Sequence, residues 1–259
     1  MRRALCSTLP SKIGEAVEVP SFEANHLISV LRMKPGDTVE ILDGNGLSAQ
    51  GTLVFKGKTL FAELITLPIG KKELQSYPLH LSMAVLKGDA MEWVIEKAVE
   101  LGVRTLTPFE SEFSVVDLRK KGAEAFQERW QKIADQALKQ CGRLSRMKVE
   151  IPSTFEDILL KKTQLVWLDE SLAYTHENDQ WSEFYLANVA DKIITENTST
   201  FLEPELIIGP EGGFSPLEKN RLLQPFKKEI KRAHAGAAIL RAETAALFGV
   251  SVFTCKMKK

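Results

Sequence analysis

Leu206-Ile207-Ile208-Gly209-Pro210-Glu211-Gly212-Gly213-Phe214-Ser215-Pro216-Leu217-Glu218 joins an apolar run, a glycine-rich bend and a helix start. Leu206 to Ile208 is an apolar run without alternation, the pattern of a strand covered on both faces in a parallel sheet. Gly209, Gly212 and Gly213 strip side chains from a bend around Pro210, so the backbone itself can approach a ligand. Ser215 stands at an N-cap position, Pro216 suits the first helical position, and Glu218 completes a capping box. Strand, bare loop and helix start together predict a ligand site at the carboxyl edge of a sheet. The loop matches neither the dinucleotide fingerprint nor the phosphate loop with its Gly-Lys-Ser/Thr ending, so a phosphate cradle is not favoured. Most glycine turns bind nothing, and from this stretch alone a plain strand-to-helix turn remains the competing reading.

A second stretch repeats the design. Ala235-Gly236-Ala237-Ala238-Ile239-Leu240-Arg241-Ala242-Glu243-Thr244-Ala245-Ala246-Leu247 runs from an expected strand, Glu229 to Ala233, through small residues into a final helix from about Glu243. Upstream, strands and helices alternate in the same way. Leu79 to Leu86 and Val103 to Phe109 read as strands, and Asp89 is expected to cap a helix from Ala90 to Leu101, with Gly102 at its stop. Ala123 to Gln140 reads as a second amphipathic helix, its stripe of Phe126, Trp130, Ile133, Ala134, Ala137 and Leu138 fitting packing better than base stacking. Leu165 to Leu168 is a further short strand. Asp169 and Glu170 follow it where acid–base residues often sit, although solvated loop acids are the commoner case. Ile193 to Pro204 reads as a loop. The alternation predicts an α/β fold, a mainly parallel sheet with helices on both faces.

Residues 1–73 read differently. Ala16–Val19, Thr38–Leu42, Thr52–Phe55 and Leu60–Leu64 are short strands separated by turns such as Asp43-Gly44-Asn45-Gly46, which predicts a small β-barrel. A helix-like insertion from Glu23 to Met33 interrupts them. Glu73 to Pro78 is the expected linker, giving domains at 1–73 and 74–259.

Composition excludes several classes. No apolar run approaches the roughly 20 residues of a membrane span, and Met1-Arg2-Arg3 leads into no secretory apolar segment, so a cytoplasmic protein is expected. Cys6, Cys141 and Cys255 lack metal or redox spacing, as do His26, His80, His176 and His234, so no metal is expected. The 34 basic and 34 acidic residues cancel, but the basic ones concentrate in 119–148 and 219–241. A polyanion could meet a basic face on a neutral protein; two solvated helix faces explain the pattern equally well.

The two loops together, with His26-x4-Leu31-Arg32, Gly36-Asp37, Glu96-Lys97-Ala98-x-Glu100-Leu101-Gly102 and Gln140-Cys141-Gly142-Arg143, closely resemble the RsmE family, the ribosomal RNA small subunit methyltransferase E enzymes. The resemblance spans nearly the whole chain. It implies a PUA-like β-barrel followed by a SPOUT domain with a C-terminal trefoil knot, acting as a homodimer. It also implies S-adenosylmethionine-dependent methylation of uridine N3 in 16S rRNA of the small ribosomal subunit. Where relatives usually carry an arginine before Ile-Leu-Arg, this chain has Ala238, which puts substrate contacts in doubt; Arg232 or Lys231 are the candidates to substitute. A non-catalytic RNA-binding protein, or a SPOUT enzyme acting on a ribose or another base, is the alternative.

On this resemblance the expected cofactor-binding residues are Leu168, Ile208, Gly209, Pro210, Glu211, Gly212, Gly213, Ile239, Leu240 and Ala242, with Glu211 bracing the loop. A sulfonium donor carrying an adenine calls for backbone groups and apolar walls. Arg3, Arg32 and Arg143 are the expected substrate contacts, each with a structural ion pair as the competing role. Uracil N3 must lose a proton, and the imidate left behind calls for positive charge, which is assigned to Arg241; Glu243 is the candidate base, with a helix-cap role competing.

Overall fold

A computed structural model describes residues 2–70, 77–116, 118, 122–174, 181–196, 202–224 and 230–257. The chain forms two compact units, residues 1–76 with 135–146, and residues 77–134 with 147–259. Much of the Glu73–Pro78 linker, His176, and the basic residues Arg119, Lys120, Lys121, Lys227 and Lys228 lie outside the described residues.

The first unit contains β1 (Arg3–Leu5), β2 (Ala16–Glu18), α1 (Ser21–Asn25), β3 (Thr38–Leu42), β4 (Leu47–Lys56), β5 (Thr59–Leu64) and β6 (Ile69–Gly70). Its sheet runs β1-β3-β4-β5-β2, with β6 on β4; β1 pairs parallel with β3 and the other pairs are antiparallel. Alternating residues such as Val39, Ile41, Leu53, Ala62 and Leu64 point into one core with Leu27 and Met33. The expected helix over 23–33 is instead α1 followed by a π-helical turn at His26–Val30. The turn ends at Arg32, whose φ of 53° is left-handed, and Met33 N–H closes it on the Leu27 carbonyl at 3.0 Å.

Residues 135–146 join this unit through polar contacts. The Lys139 ammonium meets the Glu23 carboxylate at 2.7 Å with both side chains under 10% exposed. Arg3 donates to the Lys139 and Gln140 carbonyls and pairs with Glu40, so its guanidinium caps a helix C-terminus. That guanidinium occupies the space a Gly142 side chain would need, 2.7 Å from an added Cβ. Burial, aided by the Glu23 charge, pushes the Cys6 thiol up to about 12.

The second unit contains β7 (His80–Ala84), α2 (Asp89–Glu100), β8 (Thr105–Glu110), the first part of α3 (Ala123–Cys141), β9 (Lys148–Val149), β10 (Ser153–Thr154), α4 (Phe155–Leu159), β11 (Gln164–Leu168), α5 (Leu186–Glu196), β12 (Pro204–Ile208), α6 (Pro216–Leu223), β13 (Lys231–Ala233) and α7 (Ala242–Met257). Its seven-stranded sheet is parallel throughout, in the order β10-β8-β7-β12-β11-β13 with β9 also on β8. Alternation along the strands sends side chains to opposite faces. Trp167 and Ile207 join Phe109, Phe155, Phe214 and Leu222 on one face, while Leu168 and Leu206 meet α7 on the other. Gly249 permits that approach, because a Cβ there would stand 3.0 Å from both leucines. Helices on both faces of a mainly parallel sheet are as expected.

Two local expectations need correction. Asp89 lies inside α2, whose N-cap is Gly88 without a side-chain cap bond. The segment read as a loop from Ile193 begins as the last turn of α5. Thr154 and Asp157 form a capping box that opens α4, a pattern local to the sequence. In mid-strand, the buried Glu205 carboxylate is satisfied by Ser82, by Lys161 at 2.7 Å and by Thr163 at 2.5 Å.

The Glu23–Lys139 pair gives a stability test. Lys139→Met strands a buried carboxylate and is expected to cost about 3–5 kcal/mol, whereas adding Glu23→Gln should restore much of it. Denaturant unfolding measures both; equal losses in the single and double variants would contradict the pairing.

Candidate active site

Parallel strands deliver their exit loops to one edge of the sheet. Leu168 and Ile208 are the last residues of adjacent strands β11 and β12, both largely buried. Beyond Ile208, the Gly213 N–H donates to the Pro210 carbonyl at 2.9 Å and closes a tight turn. Gly213 has a φ of 71°, and a Cβ there would lie 2.9 Å from Glu170 Oε1. Gly209 packs against the Phe214 ring, leaving only about 3 Å for an added Cβ. Phe214 itself is wedged among Phe109, Phe155 and Trp167, with ring centroids 5.6–6.3 Å away. Glycine therefore lets the loop fold back over a fixed aromatic anchor.

Three carboxylates hold this loop. Glu211 accepts weakly from the Lys87 N–H, 3.3 Å away in the loop leaving β7. Glu218 and Ser215 form the predicted capping box. Glu218 is buried and also accepts from Ser111 Oγ and the Glu112 N–H at 3.0 Å each, so the same side chain ties α6 to the loop leaving β8. Glu170, at the β11 exit, pairs with Lys219 of α6 at 2.8 Å.

Asp169 is not a solvated loop acid. Its side chain is fully buried, accepts from Arg232 Nη2 at 2.5 Å and Nε at 3.1 Å, and accepts from the Ser171 N–H and hydroxyl. Arg232 is thereby committed to the carboxylate at the β11 exit.

The second loop follows β13. Gly236 has a φ of 125°; Ala237, Ala238 and Ile239 are exposed, Leu240 is half-buried, and Ala242 is buried at the start of α7. The Arg241 carbonyl accepts from the Ala245 N–H at 2.8 Å, putting Arg241 at the N-cap position with its side chain exposed. Glu243 lies in the first turn of α7, half-buried, where its charge also suits the helix dipole. The predicted cofactor residues thus fall on three neighbouring strand exits, those of β11, β12 and β13.

The predicted substrate arginines divide. Arg32 is exposed and, like Arg241, has no ion pair among the described residues. Arg3 is spent on Glu40 and helix carbonyls, and Arg143 is 5% exposed. Many other basic residues of the two concentrations are paired, including Arg129 with Glu92, Arg146 with Asp135 and Arg221 with Glu156. Among the described residues, no group of three or more His, Cys, Asp or Glu could hold a metal, and no helix is long and apolar enough to cross a membrane.

The family model described as "RNA methyltransferase domain" matches residues 72–254, and that described as "RNA methyltransferase PUA domain" matches 23–65. Ribosomal RNA small subunit methyltransferase E of Bacillus subtilis is 27% identical over 242 residues, 92% of this chain and 91% of that one. The protein of that name from Synechocystis is 30% identical over 241 residues, 91% of this chain and 72% of that one. The crystal structure of the Neisseria gonorrhoeae enzyme of that name, bound to S-adenosyl methionine, superposes with a TM-score of 0.77 at 23% identity, covering 97% and 96% of the two chains. That last likeness is one of fold. This chain belongs to the RNA methyltransferase family, within its RsmE group.

The glycine loop gives a graded test. Gly213→Ala places a Cβ in a left-handed conformation and should cost about 1–2 kcal/mol. Gly213→Asn should cost less, since asparagine tolerates that region. Gly212→Ala, with no positive φ and Phe113 at an ordinary 3.4 Å, should be nearly neutral. Thermal unfolding of the three variants checks the order; equal effects at 212 and 213 would contradict the loop geometry.

Proposed function

We propose that this chain transfers the methyl group of S-adenosylmethionine to N3 of a uridine in 16S rRNA, acting as a cytoplasmic homodimer. The observation that carries the reading is the bare backbone of 209–213 at the β12 exit, held by Glu211, Phe214 and Glu218, with Arg241 on the loop that leaves β13, the strand beyond β11 in the same sheet. Family membership and the names of the relatives support it. In this reading residues 1–73 bind RNA and 74–259 form the catalytic domain with its trefoil knot.

S-adenosylmethionine supplies an electrophilic methyl carbon on a sulfonium. Leu168, Ile208, Ile239, Leu240 and Ala242 form apolar walls, and the backbone of Gly209, Pro210, Glu211, Gly212 and Gly213 supplies hydrogen-bonding groups. The N3 nitrogen forms the new bond to the methyl carbon as the carbon–sulfur bond breaks, leaving a neutral thioether, and the N3 proton passes to a base. Arg241 faces the negative charge that develops on the uracil oxygens; Glu243 takes the proton or steadies the helix start. Arg32 contacts RNA, its exposure following from the left-handed turn that presents it. Arg3 and Arg143 support that role from within the first unit.

α7 supports the dimer. It has no continuous polar face, and Leu247, Phe248 and Val252 remain only partly buried in one chain. A helix apolar all round is expected to be covered on all sides.

Arg241→Ala is expected to lower the single-turnover methyl-transfer rate about a hundredfold while leaving S-adenosylmethionine affinity nearly unchanged. Raising the pH should recover part of the rate by supplying deprotonated uracil. Equal losses in affinity and rate, without recovery, would make Arg241 a wall of the pocket instead.

A further inference from the structure

The start of the second loop depends on one side chain that the proposed chemistry does not use. His234 follows β13 and is 2% exposed. Its backbone is clamped on both sides, its N–H donating to the Phe184 carbonyl at 2.8 Å and its carbonyl accepting from the Leu186 N–H at 3.1 Å. Its ring lies 5.6 Å from the Tyr185 ring, tilted by 50°. From this fixed position Nδ1 accepts a hydrogen bond from the Gly236 N–H at 3.1 Å. An accepting nitrogen carries no proton, so the ring is held in one tautomer. Gly236 is where the chain turns, at a φ of 125°, and no heavy atom lies within 4 Å of an added Cβ. Crowding at a side-chain position therefore does not account for the glycine. The imidazole is placed to restrain the bend, in the manner of an asparagine that hydrogen-bonds the backbone two residues on.

We infer that His234 is a positioning residue whose Nδ1 sets the bend at Gly236 and thereby the placement of Ile239, Leu240 and Arg241. The inference rests on the proposed function, which gives those three residues to the methyl donor and the uracil ring. Small exposed residues at 237 and 238 provide no packing that would fix the loop in its place. An error of about an ångström at Arg241 is enough to cost rate.

Two substitutions separate acceptor from bulk. His234→Asn puts Oδ1 on the same bonded path as Nδ1 and keeps the acceptor while losing volume. His234→Leu keeps most of the volume and has no acceptor. In the full-length protein, amide exchange at Gly236, S-adenosylmethionine affinity by calorimetry and the single-turnover rate on 16S rRNA are measured for parent and variants. The expected result is a parent-like Asn variant and a Leu variant with faster Gly236 exchange and roughly threefold to tenfold losses in affinity or rate, the scale of one hydrogen bond. A parent-like Leu variant, or an Asn variant as impaired as Leu, would overturn the inference and assign His234 to packing. Should the Leu variant fail to fold, His234→Ala takes its place and the same ordering is read. A parent protein that neither binds the donor nor transfers methyl would sink the proposed function. Gly236 exchange would then still report whether the imidazole holds the bend.

Discussion

The buried carboxylate of Glu218 is the contact on which the site depends. One oxygen accepts from the Ser215 N–H and the Ser111 hydroxyl, the other from the Glu112 N–H. Those bonds compensate a charge taken out of water, and they join the start of α6 to the exit of β8. With its far end fixed at Ser215 and Phe214 seated among three aromatic rings, the segment 209–213 can remain almost without side chains and still hold one shape. Such pre-organisation leaves less loop entropy to be lost when a ligand binds.

The same economy governs the charges. A neutral chain with concentrated basic segments invites the idea of a broad cationic face, yet many described bases are committed to nearby acids. Asp169 holds Arg232, Glu170 holds Lys219, and Glu23 holds Lys139. Arg32 and Arg241 stand apart, because each is exposed on an irregular stretch of backbone, one after a π-helical turn and the other just before a helix. In the proposed function, a polyanion met by these two arginines would be recognised more by geometry than by net charge.

What the sequence revealed follows from the range of the forces involved. The strand–loop–helix unit at 206–218 was legible because its apolar run, glycines and capping box act within a few residues. The alternation of strands and helices was legible from periodicity. Glu218's second duty was not, since Ser111 and Glu112 lie 107 and 106 residues away in the chain. Asp169 and Arg232, 63 residues apart, were hidden for the same reason, and so was the clustering of 135–146 with the first unit. The last turn of α5 falls in the stretch expected to be a loop because Ile193-Ile194-Thr195 is β-branched and the residues after it are polar. His234 carried no signal at all, because a lone histidine says nothing of which backbone group it will meet.

Chemistry at uridine N3 is checked by incubating unmethylated 16S rRNA or small subunits with the protein and isotopically labelled S-adenosylmethionine, then digesting the RNA and identifying the labelled nucleoside. Methyl transfer to N3 puts the label in 3-methyluridine. Label in a ribose methyl group or on another base, or none despite measured binding of the donor, would contradict it.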